Sequence, residues 1–215
     1  VIDNVVTINF EKPFELSQGV MVEFIPAGHI LGAASIKISV TEKGKTKTLG
    51  FTGDLGKSDA KVVVAPTPMT GLDYLVMEAT YGARLHKEER SAEETLASYI
   101  KDTCIDQPGR LIIPAFSVGR TQAILFAINN LFRSGEIKPI RVFTDSPLGI
   151  NSGNIHDKYI GYLNKEAQDF VQEYRDLFRF PHLDIVEDKE DEEDMQRYYE
   201  PSIIVSSAGM LEGGR

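Results

Sequence analysis

Tryptophan is absent from this chain of 215 residues, cysteine occurs once, and the four histidines stand far apart. A single cysteine, Cys104, excludes an internal disulfide and fits a reducing compartment, so a cytoplasmic location is expected. No apolar run is long enough to cross a bilayer, no signal-like start precedes one, and no membrane partner is expected. Cations are scarce: 23 Lys and Arg stand against 32 Asp and Glu, and the net charge of −9 argues against broad non-specific nucleic-acid binding. The aromatic residues, Phe and Tyr alone, read as core, and no run suggests an exposed stacking platform for bases. There are no internal repeats.

What is there is an ordinary globular composition, 42% hydrophobic and 26% charged, enough for one large domain or two modest ones. Charge is uneven. Glu187 to Asp194 is acidic except for Lys189 and reads as a solvated loop or helix start. Arg84, Arg110, Arg120 and Arg215 fall near segment ends, where a site can use them. Val1 is not an initiator Met and Arg215 follows a Gly pair, so both ends are expected to be cuts in a longer protein.

Up to about residue 80 the chain reads as strands: Val20 to Pro26, Ala34 to Val40, Thr46 to Phe51 and Tyr74 to Glu78. Ile36, Ile38 and Val40 alternate with Lys37 and Ser39, the period of a sheet with one solvated face, and Gly44 between lysines suggests a hairpin. From residue 83 the pattern alternates. Ser91 and Glu94 form a capping-box signature for a helix that places Leu96, Tyr99, Ile100 and a half-buried Cys104 on one face. A strand from Arg110 precedes a helix from Arg120 to Phe132, with Ile124, Ala127, Ile128 and Leu131 inward and Gly135 as the stop. Ile140 to Thr144 and Ser202 to Ser206 read as strands, and Lys165 to Phe178 as an amphipathic helix. Such alternation predicts an α/β fold with a helix-covered, mostly parallel sheet.

Three segments end strand-like runs on reactive side chains: Pro26-Ala27-Gly28-His29, Thr52-Gly53-Asp54 and Met77-Glu78-Ala79-Thr80-Tyr81-Gly82. His29 on a loop suits a metal, or simply a local hydrogen bond. Asp54 can bridge two cations, or cap a turn. Glu78 can orient a histidine or assist proton transfer, or face solvent, and His86 can support the same site or lie on a surface loop. Ser117-Val118-Gly119-Arg120, Ser146 and the stretch from Ser207 through Gly209 and Gly213 are strand-to-helix turns suited to phosphate, or to ordinary capping.

In this order the strings are specific. Pro-Ala-Gly-His-Ile-Leu-Gly-Ala, Thr-Gly-Asp-Leu-Gly and Glu-Ala-Thr-Tyr-Gly resemble the β-CASP branch of the metallo-β-lactamase superfamily. The resemblance continues through Ile113 to Gln122, Asp145 to Leu148 and Ser206 to Arg215, and is greatest to bacterial and archaeal RNases similar to the eukaryotic mRNA 3′-end cleavage endonuclease. It implies that residues 1–82 are the later part of a metallo-β-lactamase αββα sandwich. Residues 83–215 would then be a β-CASP domain incomplete at its carboxyl end. It also implies hydrolysis of RNA phosphodiester bonds, by endonuclease or exonuclease action, in RNA processing or decay. In the family two Zn2+ ions activate the nucleophile for in-line attack. His29 then matches a ligand to one zinc, Asp54 the carboxylate bridging both, and Glu78 the acidic residue that pairs with a later histidine. Ser117, Arg120, Ser146, Ser207, Gly209, Gly213 and Arg215 become candidate contacts to single-stranded RNA in a cleft between the two regions.

The family's His-x-His-x-Asp-His motif belongs upstream of Val1, and its later histidines downstream of Arg215; His86, His156 and His182 lack the matching context. A hydrolase of small esters or thioesters, and a non-catalytic scaffold subunit, are the alternative readings. A split first domain is expected to expose apolar sheet surface and to self-associate, a homodimer being one form. One catalytic zinc wants about three protein ligands. The isolated chain is therefore predicted to bind zinc weakly or not at all and to leave RNA uncut. Elemental analysis after desalting, together with an RNA-cleavage assay, checks this, and a stoichiometric zinc pair overturns it.

Overall fold

Lys43 and Gly44 form a two-residue connection in the amino-terminal half. In the computed structural model, which describes residues 5–83, 91–145 and 147–207, both take left-handed angles, φ 51° and 75°. Two consecutive left-handed residues make the hairpin turn whose twist matches that of the flanking strands. The chain divides into two units, Val1–Leu85 and His86–Arg215.

The first unit holds β1 (Phe14–Ser17), β2 (Val20–Pro26), β3 (Ala34–Glu42), β4 (Lys45–Phe51) and β5 (Tyr74–Val76), paired in that order in one sheet. β1 to β4 are an antiparallel meander, and β5 joins β4 in parallel. Among the described residues this unit has no helix. The alternation in β3 does not sort into a wet and a dry face: Ser35 is buried and Val40 is exposed. The reason is the long connection from β4 to β5, which folds over the face carrying Ser35, Thr48 and Gly50. A Cβ on Gly50 would sit 2.6 Å from Leu72 Cδ1, and Thr48 N–H donates to Asp73 Oδ2 at 2.9 Å. Thr52 carbonyl accepts from the Ser35 hydroxyl at 2.9 Å, so the buried serine is satisfied. The expected bare apolar surface is present on β5 and just beyond it, where Tyr74, Leu75, Val76 and Met77 are each at least half exposed.

The second unit is a four-stranded parallel sheet in the order β6 (Arg110–Pro114), β9 (Ser202–Ser206), β7 (Arg141–Asp145), β8 (Leu183–Ile185). Its helices are α1 (Ala92–Ile100), α2 (Arg120–Arg133), α3 (Pro147–Lys158), α4 (Lys165–Tyr174) and α5 (Lys189–Arg197). The mixed α/β class and the parallel sheet agree with the sequence pattern. The Ser91–Glu94 capping box forms, with Glu94 N–H donating to Ser91 Oγ at 3.1 Å and Ser91 N–H to Glu94 Oε2 at 2.9 Å. Gly135, at φ 76°, ends α2 as expected.

Several details differ from the sequence reading. α1 continues into a π-helical stretch, Lys101–Asp106, which turns Cys104 fully inward; its thiol donates to the Ser202 carbonyl at 3.5 Å and burial pushes it up. Tyr99 points out instead, and Tyr74, Tyr81, Tyr159, Tyr162 and Tyr199 are exposed with it, whereas Tyr198 packs against the core at Phe143. α4 stops at Tyr174 because Arg175 turns left-handed (φ 70°) and Asp176 Oδ1 accepts from the N–H groups of Phe178 and Arg179. Leu177 and Phe178 still reach the core, and that continued the helical period past its end. The acidic run becomes α5, capped by Asp188, which accepts from Glu190 and Asp191 N–H groups.

The inward face of α2 is also rotated: Leu125, Phe126, Ile128 and Leu131 are buried together with Gln122 and Asn129. Asn129 Nδ2 donates to the Leu177 carbonyl at 3.1 Å and the Asp176 carbonyl at 3.4 Å, tying α2 to the turn after α4. Asn129→Leu preserves shape but strands these carbonyls, and urea unfolding is expected to show a loss of about 1–3 kcal/mol.

Candidate active site

Strand polarity brings three of the sequence-predicted residues to one edge of the first sheet. β2 ends where β3 begins (Pro26 pairs with Ala34), and Phe51 at the end of β4 pairs with Ile36 and with Val76 of β5. The segments leaving β2, β4 and β5 therefore start side by side, and they carry His29, Asp54 and Glu78. His29 Nε2 and Asp54 Oδ2 are 4.0 Å apart, and both side chains are open to solvent, Asp54 the more so.

Backbone packing holds this arrangement. Gly28 is left-handed (φ 69°) and a Cβ there would meet Pro66 at 2.7 Å and the Val64 carbonyl at 2.8 Å. A Cβ on Gly56 would lie 1.7 Å from the Gly28 carbonyl oxygen, an approach only glycine permits. Gly56 N–H donates to the Ala27 carbonyl at 2.9 Å, so the His29 and Asp54 loops are pinned to each other.

Glu78 ties its own segment to the Asp54 loop. Its Oε1 accepts from Leu55 N–H at 3.0 Å and its Oε2 from Thr80 N–H at 3.2 Å, while its own N–H donates to Thr52 Oγ1 at 3.1 Å. The Thr80 hydroxyl first, then these N–H groups and the nearby His29, hold the carboxyl below the usual carboxylate range. Such a group stays ionised and orients its neighbours.

An imidazole and a carboxylate are donors suited to zinc. Bonds of about 2.0–2.2 Å place two ligand atoms of one tetrahedral ion roughly 3.4 Å apart, so the pair needs only a small closure. Among the described residues no group of three or more His, Cys, Asp and Glu side chains converges to complete the shell. His29 and Asp54 fit two positions of a metal centre.

The second unit gathers its own candidates at the carboxyl edge of its sheet, the usual ligand edge of parallel α/β sheets. Pro114 and Asp145 both pair with Ser206, and Ala115 N–H donates to the Ser206 carbonyl at 2.9 Å. Ser117 and Arg120 leave this edge from β6 and Ser207 from β9, with Ser207 Oγ donating to the Asp145 carbonyl at 3.2 Å. The α2 turn is braced by Gln122, which the sequence reading passed over as a site residue. Its Oε1 accepts from Gly119 N–H at 2.6 Å, and its Nε2 donates to the carbonyls of Ser117 (3.1 Å) and Gly149 (2.8 Å). Thr121 N–H donates to the Phe116 carbonyl, so two backbone donors of this turn are already engaged. It presents Arg120 outward together with the exposed Phe116 and Val118. Ser146, Gly209, Gly213 and Arg215, with Arg84 and His86, lie outside the described residues.

The β-CASP domain family matches residues 121–215. An RNase J-like protein of Methanocaldococcus jannaschii is 34% identical over 99% of this chain and 48% of its own length. A ribonuclease of Thermus thermophilus is 30% identical over 89% of the chain and 43% of its own length. Cleavage and polyadenylation specificity factor 73 of Drosophila melanogaster is 27% identical over 99% of the chain and 30% of its own length. The chain thus spans about half the length, or less, of these curated relatives.

The Glu78 clamp has a pH signature. Its value in the fold lies below the ordinary one of about 4.3, so its contribution is complete above that ordinary value and is lost as pH falls through the lowered one. Amide exchange at Leu55 and Thr80, corrected for intrinsic rates, is expected to lose protection on that acidification. Glu78→Gln, with one acceptor oxygen left, is expected to lose protection at neutral pH as well.

Proposed function

The chain belongs to the β-CASP branch of the metallo-β-lactamase superfamily, and on that premise we propose that the whole protein is a zinc-dependent ribonuclease that hydrolyses RNA phosphodiester bonds in the cytoplasm. The observation that carries the reading is the meeting of His29, Asp54 and Glu78 at one sheet edge, on loops locked by Gly28 and Gly56. The sheet of the first unit would be one half of an αββα sandwich. His29 would ligate one zinc, and Asp54, with two oxygens, would reach both. When bound, the zinc pair supplies Lewis acidity to lower the pKa of water and neutralise the charge of the phosphodiester. Glu78 would brace the Asp54 loop and stay ionised, able to orient the proton of a histidine supplied by the rest of the protein.

The second unit would hold the substrate. Arg120 offers a guanidinium whose fork suits phosphate, and Ser117 and Ser207 offer hydroxyls near the same sheet edge. With a net charge of −9, contacts of this local kind, rather than a general basic surface, would carry binding.

The full-length protein loaded with zinc tests the reading on a labelled single-stranded RNA. Asp54→Ala and His29→Ala are each expected to lower kcat/KM by at least about a hundredfold, as loss of a metal-site group does. Arg120→Ala is expected to raise KM more than it lowers kcat. RNA left intact by the zinc-loaded parent, or cut equally by both metal-site variants, overturns the assignment. Turnover of a small ester in place of RNA would favour the ester hydrolase.

A further inference from the structure

Phe116 and Val118 are 57% and 40% exposed on the turn between β6 and α2. Single apolar side chains at a surface need no explanation, but here two share one short turn with the exposed Arg120. The backbone beneath them is fixed. Ala115 N–H donates to the Ser206 carbonyl at 2.9 Å, and the Phe116 carbonyl accepts both the N–H and the hydroxyl of Thr121, at 3.1 and 2.9 Å. Thr121 and Gln122 are buried, and Gln122 Nε2 holds the Ser117 carbonyl. The bond that closes the turn joins Phe116 to the residue next to Arg120, so ring and guanidinium leave one rigid piece of backbone.

The pairing of ring and cation decides what fits. An apolar protein segment laid on Phe116 would also strip water from Arg120, which is unfavourable unless an anion comes with it. A phosphate alone would meet Arg120 and leave the ring wet. A nucleotide carries both parts, a flat apolar face and an anionic phosphate. Stacking on an aromatic ring accepts any base, because every base has a π face. A base held in a duplex offers only its edges, so the match is to an unpaired one.

We propose that Phe116 is a base-stacking residue, which takes the face of one unpaired nucleobase while Arg120 holds a phosphate of the same strand. The role rests on the ribonuclease reading and extends it: the turn after β6 selects single strands without reading their sequence. No aromatic run marks it along the chain, because one ring suffices once a rigid turn presents it.

The full-length, zinc-loaded protein is titrated against a labelled single-stranded phosphorothioate RNA, whose linkages resist hydrolysis, with fluorescence anisotropy as the readout. Phe116→Ala is expected to weaken Kd about fivefold or more, the effect of one lost stack, and Phe116→Trp to retain it. Salt separates this from a damaged turn. Phe116→Ala is expected to keep the salt dependence of Kd, whereas Arg120→Ala lowers its slope by about one. Removing single bases along the RNA is expected to reveal a position where the unsubstituted protein loses the same factor and Phe116→Ala loses nothing further. An unchanged Kd for Phe116→Ala overturns the proposal, as does a penalty that stays the same whichever base is removed. A lowered Tm with unchanged Kd also overturns it, since protein then covers the ring. Cleavage of ordinary RNA is scored separately. Binding through Phe116 without cutting overturns the ribonuclease reading alone, and cutting without a Phe116 effect overturns the stacking alone.

Discussion

The candidate site of the first unit depends on one backbone approach, that of the Gly28 carbonyl to Gly56. Any side chain at Gly56 would occupy the space of that carbonyl, and any at Gly28 would meet Pro66. Because the two glycines close together, the loop after β2 and the loop after β4 move as one body. His29 and Asp54 inherit their 4.0 Å separation from that contact, with no help from burial, since both are open to solvent. Glu78 then adds the third loop through its two carboxylate oxygens. A metal site of the kind proposed would need its ligands placed before the ion arrives, and backbone contact between Gly28 and Gly56 places His29 beside Asp54.

The second unit solves the same problem differently. Its strands all run one way, so their carboxyl ends lie at one edge, and the ends of β6, β7 and β9 are neighbours by register alone. The α2 turn is stiffened from inside by a buried amide. Gln122 satisfies one N–H and two carbonyls, and Asn129, further along α2, donates to the two carbonyls of Asp176 and Leu177 just after α4. Buried amides are favourable only when fully bonded, which makes these contacts directional where apolar packing is not. A rigid edge with an exposed Arg120 is the result.

Much of this was legible from residue order. The Lys43–Gly44 turn, the Ser91–Glu94 box, the Gly135 stop and the parallel sheet each rest on local chemistry that neighbours in sequence supply. The inward set of α2 was read from apolar period and so missed Gln122 and Asn129, since a polar side chain announces burial only through distant carbonyls. Tyr99 lies on α1 away from the buried Ala97 and Ile100, whereas Cys104, in the π-helical stretch beyond Ile100, is more deeply buried than expected. α4 was read too long. Leu177 and Phe178 keep the apolar period but reach the core from a turn that Asp176 stabilises.

Residue types and their order determined, without coordinates, which side chains have the chemistry for the site and which family the chain resembles: an imidazole, two carboxylates and their glycine-rich contexts are written in the chain. Tertiary structure alone decided that His29 and Asp54 face each other and that Glu78 ties its own segment to the Asp54 loop. The physical reason is separation along the chain. Gly28 and Gly56, or Leu55 and Glu78, are far apart in the chain, and only strand register and packing carry information over that distance.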